Sequence, residues 1–150
     1  MPIGDVCVRD VVCASKDTTI LEAARLMRQH HVGNLVVVED SANGRRYPVG
    51  IVTDRDIAVS VIAPALDAAL FTLGDLLSQE LVTAQENQGI FESIQNMRMH
   101  GVRRMPIVDR QGALVGIVSV DDLIRLLGEE LSELAKLIAR EQAREVHSKR

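Results

Sequence analysis

Aromatic side chains are almost absent from this sequence of 150 residues, which has no tryptophan and only Tyr47, Phe71 and Phe91 as aromatic residues. Proteins that hold single-stranded nucleic acid without sequence preference stack its bases on aromatic rings, so the composition argues against that class. The formal net charge of −4 gives no general attraction to nucleic acid or to an anionic membrane. The apolar fraction of 47% is ordinary for a globular protein, and with so few aromatic residues we expect its core to be aliphatic. From the charge and the scarcity of aromatic residues we expect no nucleic-acid partner.

Cysteine and long apolar runs are also scarce. Cys7 and Cys13 do not have the spacing of a zinc site, and their simplest interpretation is a pair of reduced thiols in a cytosolic protein. The first residues lack the basic and apolar regions of a signal peptide. No apolar run approaches the ~20 residues that span a bilayer. We therefore expect a cytoplasmic protein without a membrane partner.

Motifs of the common enzyme classes are missing as well. The sequence has no Gly-x-Ser-x-Gly elbow, no P-loop and no Gly-x-Gly-x-x-Gly dinucleotide loop, and no pattern pairs a nucleophile with a base. The four histidines and the acidic pairs do not form a recognisable metal cage. We therefore expect a binding protein rather than an enzyme, with no catalytic residues and no dedicated metal site.

One short stretch is present twice, at Gly50–Asp56 and at Gly116–Asp122. Each copy has a glycine, two β-branched apolar residues, a small hydroxyl residue, and an aspartate three positions after the hydroxyl. An apolar run precedes each copy and a helical pattern follows it, which predicts a strand that ends in a polar turn and opens a helix. Such a turn gathers a hydroxyl, a carboxylate and free N–H groups, as a ligand site does. The alternative is that these residues only cap their helices.

The surrounding sequence repeats too. Ile90 and Met97 repeat Ile20 and Met27 at an offset of 70, whereas Gly116 follows Gly50 by 66, which leaves four extra residues in the loop 39–48 of the first copy. Each copy is predicted to be strand–helix–strand–strand–helix. The sequence therefore predicts an α+β fold of two pseudo-twofold-related β-α-β-β-α repeats, at residues 5–65 and 66–128, with a C-terminal helical tail at 129–150.

Three details of the helices are predicted from single residues. Thr18 or Thr19 caps the first helix, with Glu22 completing a capping box, and Gly33 ends it. Gly128 interrupts the long helical pattern of the tail, whose last residues are basic. The tail has an apolar stripe that closes the chain's own core or packs against a second subunit; its members are Leu131, Leu134, Ala135, Leu137 and Ile138.

On its doubled Gly-hydrophobic-x-Thr/Ser-x-x-Asp motif, the sequence resembles a tandem pair of CBS domains, also called a Bateman module. The resemblance covers roughly residues 5–130, and with no further domain attached the chain is similar to the small stand-alone CBS-pair proteins of bacteria. It implies a regulatory module that binds an adenosine-containing ligand. AMP, ADP and ATP are the first expectations, with NAD and S-adenosylmethionine as alternatives.

The same resemblance implies two clefts, each shared between the repeats. The first cleft is expected to contain Thr53, Asp56, Val82, Thr83, Arg103 and Arg104. The second is expected to contain Val12, Cys13, Gly33, Asn34, Ser119 and Asp122. In the family the motif aspartate holds the ribose hydroxyls, and the threonine or serine assists near ribose or phosphate. A carboxylate is suited to accept two hydrogen bonds from a cis-diol.

The two clefts are not expected to be equal. Basic residues often grip phosphate in this family, and Arg103 and Arg104 stand at such positions, whereas Gly33 and Asn34 stand there in the first repeat. The alternative for the arginines is a solvated surface patch. We expect a homodimer that changes conformation or association on binding, with an unidentified protein target. The alternative function is a structural dimerisation or interaction module whose nucleotide sites are degenerate.

Overall fold

The computed structural model describes residues 1–148; Lys149 and Arg150, part of the predicted basic end of the tail, lie outside the described residues. The chain divides into a compact unit, Met1–Val118, and a second unit that begins at Ser119. The strands are β1 (Cys13–Ala14), β2 (Asn34–Asp40), β3 (Arg46–Thr53), β4 (Ala84–Gln85), β5 (Arg104–Val108) and β6 (Leu114–Ser119). The α-helices are α1 (Ile20–His30), α2 (Asp54–Ile57), α3 (Leu73–Leu76), α4 (Ile90–His100) and α5 (Val120–Ser148). A 3-10 turn spans Ile3–Asp5, and a π-helical turn, Ala58–Ile62, continues α2.

The strands form two three-stranded sheets, ordered β1-β2-β3 and β4-β5-β6. In the first sheet β1 is parallel to β2, and β2 is antiparallel to β3, so that Asn34 lies opposite Thr53. In the second sheet β4 is likewise parallel to β5. The two repeats thus have the same element order, and the predicted α+β fold of two β-α-β-β-α repeats with a C-terminal helix is confirmed.

Helix α1 shows how the local sequence produces this fold. Its N-cap is Thr19, whose hydroxyl accepts the Glu22 N–H at 3.1 Å while the Glu22 carboxylate accepts the Thr19 N–H at 3.2 Å. The helix buries Ile20, Ala23 and Met27, which recur at helical spacing. They join the core of the first repeat, whose other buried members are Leu35, Val37, Val52, Ile57, Val61 and Leu73.

The predicted end of α1 at Gly33 is wrong. The helix ends at His30, and His31 adopts the left-handed conformation with φ of 54°, which costs a residue with a β-carbon ~1–2 kcal/mol. Gly33 instead lies against the start of α2: its carbonyl accepts the Asp54 N–H at 2.9 Å. A β-carbon at Gly33 would also approach the Asp54 carboxylate to 3.1 Å. In the second repeat Gly101 takes the left-handed position, with φ of 64°.

The segment before the first strand of each repeat packs on the other repeat. At the N-terminus, the Gly4 N–H donates to the Glu86 carbonyl at 2.9 Å. Seventy residues later, the Gly74 N–H donates to the Lys16 carbonyl at 3.0 Å. Because the segment before β4 packs on the first repeat, Leu73 lies in the core of the first repeat and is fully buried. The chain that connects the repeats is therefore held along the first repeat before it enters the second.

The longer hairpin loop of the first repeat also reaches the second repeat. Arg45 lies in this loop, and its guanidinium is 3.3 Å from the Asp109 carboxylate and 3.1 Å from the Gln111 side-chain oxygen. Such an exposed ion pair contributes little to stability, ~0–1 kcal/mol. The extra residues therefore add a polar contact between the repeats without changing either sheet.

Helix α5 is continuous, and the predicted interruption at Gly128 is wrong. A single glycine costs a helix only ~1 kcal/mol, which a helix of 29 residues absorbs. Its apolar stripe is exposed: Leu131, Leu134, Leu137 and Ile138 each keep more than half of their accessible surface. Among residues 1–148, no helix combines the length and the apolar character that crossing a membrane requires.

Candidate functional site

A cleft of about 280 Å³ opens where β3 ends and α2 begins. Its size is close to the lower end of the range, ~300–1,000 Å³, that small-molecule sites occupy. The opposite wall comes from the second repeat, at the start of β5. The polar residues of the lining are Thr53, Asp56, Ser78, Gln79, Glu80, Arg103 and Arg104. The cleft lies wholly within the unit Met1–Val118.

Thr53 and Asp56 lie together in the turn of the first motif, Gly50–Asp56, where α2 begins. The Thr53 N–H donates to Asp56 Oδ2 at 2.9 Å, and the Asp56 N–H donates to Thr53 Oγ1 at 3.1 Å. This reciprocal pair is a capping box, so these residues do cap α2. Asp56 Oδ1 has no hydrogen-bond partner among the described residues, and Asp56 is exposed. The capping role therefore leaves one carboxylate oxygen able to accept a further hydrogen bond.

The two arginines occupy the opposite wall. Arg104 is the first residue of β5 and is half-buried, and Arg103 precedes it. The next residues of the strand, among them Met105 and Ile107, are fully buried. A guanidinium on such an anchored strand is well suited to bind a phosphate or a carboxylate through two parallel hydrogen bonds.

Two of the remaining predicted residues have different surroundings. Val82 lines the cleft and gives it an apolar surface. Thr83 is not part of the lining, and its carbonyl accepts a hydrogen bond from Asn96 Nδ2 at 3.4 Å. The structure thus brings together five of the six residues expected in this cleft: Thr53, Asp56, Val82, Arg103 and Arg104.

The connecting segment 76–81 also lines the cleft, and the sequence interpretation missed it. It is held in place at Gly50, where a β-carbon would collide with the Leu77 side chain. The equivalent glycine, Gly116, lies under Cys7 and Val8, and a β-carbon there would come within 2.7 Å of the Val8 carbonyl oxygen. The glycine of each motif thus allows the segment that comes from in front of the other repeat to pack closely on it. The 70-residue offset between Cys7 and Leu77 was the signal that could have revealed this wall.

The second motif turn repeats the geometry of the first. The Ser119 N–H donates to Asp122 Oδ2 at 3.3 Å, and the Asp122 N–H donates to Ser119 Oγ at 3.1 Å. Asp122 also accepts a hydrogen bond from Arg125 at 3.1 Å, as an ion pair one helical turn apart. Asp122 Oδ1 therefore already accepts a hydrogen bond, whereas Asp56 Oδ1 has no such partner among the described residues.

The other residues predicted for the second cleft lie in the first sheet or next to it. The Val12 carbonyl accepts the Val36 N–H at 3.1 Å, Cys13 begins β1, and Asn34 begins β2. Burial raises the pKa of the Cys13 thiol, with a smaller opposing effect from Arg46. A raised pKa keeps this sulfur protonated at neutral pH, so it is a poor nucleophile and acts as a packing residue. The ligand contacts predicted for this set stay a prediction.

The sequence profile described as CBS domain matches residues 3–62 and 73–129. The CBS domain-containing protein YhcV of Bacillus subtilis is 40% identical over 121 residues, which are 81% of this chain and 81% of that protein. An uncharacterized protein of Methanopyrus kandleri is 35% identical over 83% of this chain, which spans 61% of its length.

Two solved structures with similar folds contain adenosine compounds. The CBS domain protein PAE2072 of Pyrobaculum aerophilum, complexed with AMP, is 25% identical with a TM-score of 0.72, and the match covers 89% of this chain and 99% of that one. The CBS domain pair of protein MJ0100, in complex with 5′-methylthioadenosine and S-adenosyl-L-methionine, is 26% identical with a TM-score of 0.70 and coverages of 87% and 98%.

One further structure bears on metals. Hypoxic Response Protein I, solved with two coordinated zinc ions, is 32% identical with a TM-score of 0.69, over 83% of this chain and 98% of that one. Within the described part of this chain, no three histidine, cysteine, aspartate or glutamate side chains group closely enough to hold a metal ion. The described residues therefore form a lined cleft for an organic ligand but no comparable set of metal ligands.

Proposed function

The chain belongs to the CBS domain family, and from that premise we propose that it is a regulatory module that binds an adenosine-containing ligand in the cleft beside Thr53 and Asp56. Structures of related CBS pairs hold AMP, 5′-methylthioadenosine or S-adenosylmethionine. These three compounds share the adenosine group, which supports adenosine as the recognised part. AMP, ADP and ATP are the first candidates, and NAD and S-adenosylmethionine are the alternatives.

One observation carries the proposal: a single cleft gathers an aspartate with an open carboxylate oxygen and two arginines from the other repeat. Asp56 accepts hydrogen bonds from the ribose hydroxyls, and Thr53 assists beside it. Arg103 and Arg104 bind the phosphate, because a guanidinium matches phosphate oxygens through paired hydrogen bonds. Val82 contacts the apolar faces of the ligand.

Binding in this cleft has a mechanical consequence. Asp56 belongs to the first repeat, and Arg103 and Arg104 belong to the second, so a ligand that contacts both sides holds the two repeats together. A ligand can shift the protein between two arrangements only as far as it prefers one of them. We propose that this preference alters the conformation or association of a homodimer without catalysis. The proposed module consists of repeats at residues 5–65 and 66–128 and a tail at residues 129–150.

Calorimetric titration of the full chain with AMP, ATP, NAD and S-adenosylmethionine tests the proposal. We expect micromolar to millimolar binding of at least one ligand, and Asp56→Ala to weaken it by about tenfold or more, since a hydrogen bond to a charged group is worth ~1.5–3 kcal/mol. Glu22→Ala is the matched control, because Glu22 completes an equivalent capping box on α1 outside the cleft lining. Equal losses in the two variants would assign Asp56 a capping role alone.

A second candidate is a structural interaction module with degenerate nucleotide sites. The exposed leucines of α5 favour it, since an apolar helix face in contact with water is typical of a binding surface. Such a module would bind its partner with the same affinity in the presence and absence of nucleotide. A nucleotide-dependent partner affinity would exclude this candidate.

A further inference from the structure

Helix α5 extends for 29 residues, about 43 Å, and carries an apolar stripe near its middle. We call Leu131, Leu134, Leu137 and Ile138 the α5 stripe; they are exposed by 67%, 57%, 61% and 57%. Because they are spaced three and four residues apart, they lie along one side of the helix. A helix with such a stripe is stabilised mainly by burying it against another element.

Small residues border the stripe on one side. Ala135 follows Leu131 by four residues, and Ala139 follows Ala135 by four, so both lie next to the leucines on the helix surface. Helices approach more closely where the side chains between them are short. This edge of the stripe is therefore shaped to accept a second helix, which the large aliphatic side chains would then cover.

The charges along α5 are divided by position. Residues 129–133 contain three carboxylates and no base, namely Glu129, Glu130 and Glu133. Residues 136–144 contain three bases and one carboxylate, namely Lys136, Arg140, Arg144 and Glu141. Two copies of the helix in parallel would set like charges side by side. Two antiparallel copies would set the acidic segment of each opposite the basic segment of the other.

We infer that the α5 stripe is a docking surface for a second copy of this chain, with the two helices antiparallel. An antiparallel pair has twofold symmetry, so one patch serves as both halves of a closed interface. The inference names an interface for the homodimer of the proposed function, and it does not depend on ligand binding in the cleft. It is therefore tested without nucleotide.

Sedimentation equilibrium of the full chain over a range of concentrations measures the association. We expect a dimer whose Kd rises at least tenfold in the double variant Leu134→Glu/Ile138→Glu, because charges enter a buried apolar seam. Leu70→Glu is the matched control, since Leu70 is 77% exposed and lies outside α5; it should leave the Kd unchanged. Circular dichroism verifies that each variant keeps its helical content.

Charge reversal tests the orientation. The variant Glu130→Lys/Glu133→Lys should weaken the dimer about fivefold or more, because lysines then face the basic segment of the partner. Adding Arg140→Glu and Arg144→Glu to the same chain should restore the Kd to within about twofold, since opposite charges meet again. Parallel helices would show neither the loss nor the restoration, which would overturn the antiparallel arrangement.

Two results would overturn the inference itself. One is a wild-type chain that sediments as a monomer at all concentrations, which would leave the stripe to a different protein. The other is a dimer that Leu134→Glu/Ile138→Glu leaves intact. Calorimetry on the same variants separates this outcome from a failure of the proposed function, because ligand affinity in the cleft should not change when only α5 is altered.

Discussion

Thr53 and Asp56 exchange two hydrogen bonds, of 2.9 and 3.1 Å, and Ser119 and Asp122 exchange the same two at 3.3 and 3.1 Å. Threonine and serine are interchangeable here because only the hydroxyl is used. In both turns the hydroxyl and the carboxylate satisfy N–H groups at the start of a helix. The duplicated hydroxyl and carboxylate therefore satisfy backbone N–H groups that both repeats have in common.

The charges around the two turns differ. Arg125 follows Asp122 by three residues and pairs with it at 3.1 Å, whereas Val59 stands three residues after Asp56. At the start of the middle strand, the second repeat has Arg103-Arg104 where the first has Gly33-Asn34. The two repeats thus agree where the fold requires it and differ in charged side chains. The capping hydrogen bonds are common to both repeats, whereas the charges on which the proposed ligand binding depends are present only around the first turn.

The motif glycines should give the largest measurable difference between the two repeats. A β-carbon at Gly116 meets the Val8 backbone, whereas one at Gly50 meets only the end of the Leu77 side chain, which can rotate away. We expect Gly116→Ala to lower the free energy of unfolding by about 3 kcal/mol and Gly50→Ala by about 1 kcal/mol. Urea denaturation of both variants measures this, and equal losses would contradict the unequal packing described here.

The next effect concerns the basic wall of the cleft. Arg104→Ala should weaken binding of a phosphate-bearing ligand such as AMP by about 10- to 100-fold, because it removes charge-assisted hydrogen bonds. It should also reduce the dependence of affinity on salt. Calorimetry at two salt concentrations measures both changes. Arg98→Ala, at an exposed position of α4 outside the cleft lining, serves as the control; an equal loss there would indicate a general charge effect.

The smallest effect comes from copying the ion pair of the second turn into the first. Val59→Arg places a guanidinium three residues after Asp56, as Arg125 stands after Asp122. A pair at this spacing is worth ~0.2–0.5 kcal/mol, so the affinity for AMP should fall about twofold. Val59→Gln has a similar reach without the charge and should leave the affinity unchanged. A gain in affinity for Val59→Arg would show that the added charge binds phosphate and not Asp56.

Sequence patterns predicted the parts of the fold that depend on neighbouring residues. The strand–helix–strand–strand–helix order of each repeat and the capping box that Glu22 completes at Thr19 are confirmed. The two errors, at Gly33 and Gly128, have one cause. Glycine was interpreted as a helix end, whereas Gly33 allows close approach of Asp54 and Gly128 lies inside a helix long enough to absorb its cost.

For the cleft, the doubled motif and its resemblance to a family indicated the residues on both polar walls. The third wall, residues 76–81, was not predicted. It has no motif of its own, because its position depends on Leu73 entering the core of the first repeat and on Leu77 packing over Gly50. Contacts between residues so far apart in the chain leave little trace in a single sequence.

The two repeats, their element order and the capping turns follow from the amino-acid sequence alone, because each depends on side chains within a few positions of one another. It also set the unequal charges of the two copies. Two arrangements are visible only in the folded chain. The segment before the first strand of each repeat packs on the other repeat, and Asp56 and Arg104 share one cleft with the connecting segment. These arrangements come from burying apolar surface and pairing backbone groups across the whole first unit, which local patterns do not specify.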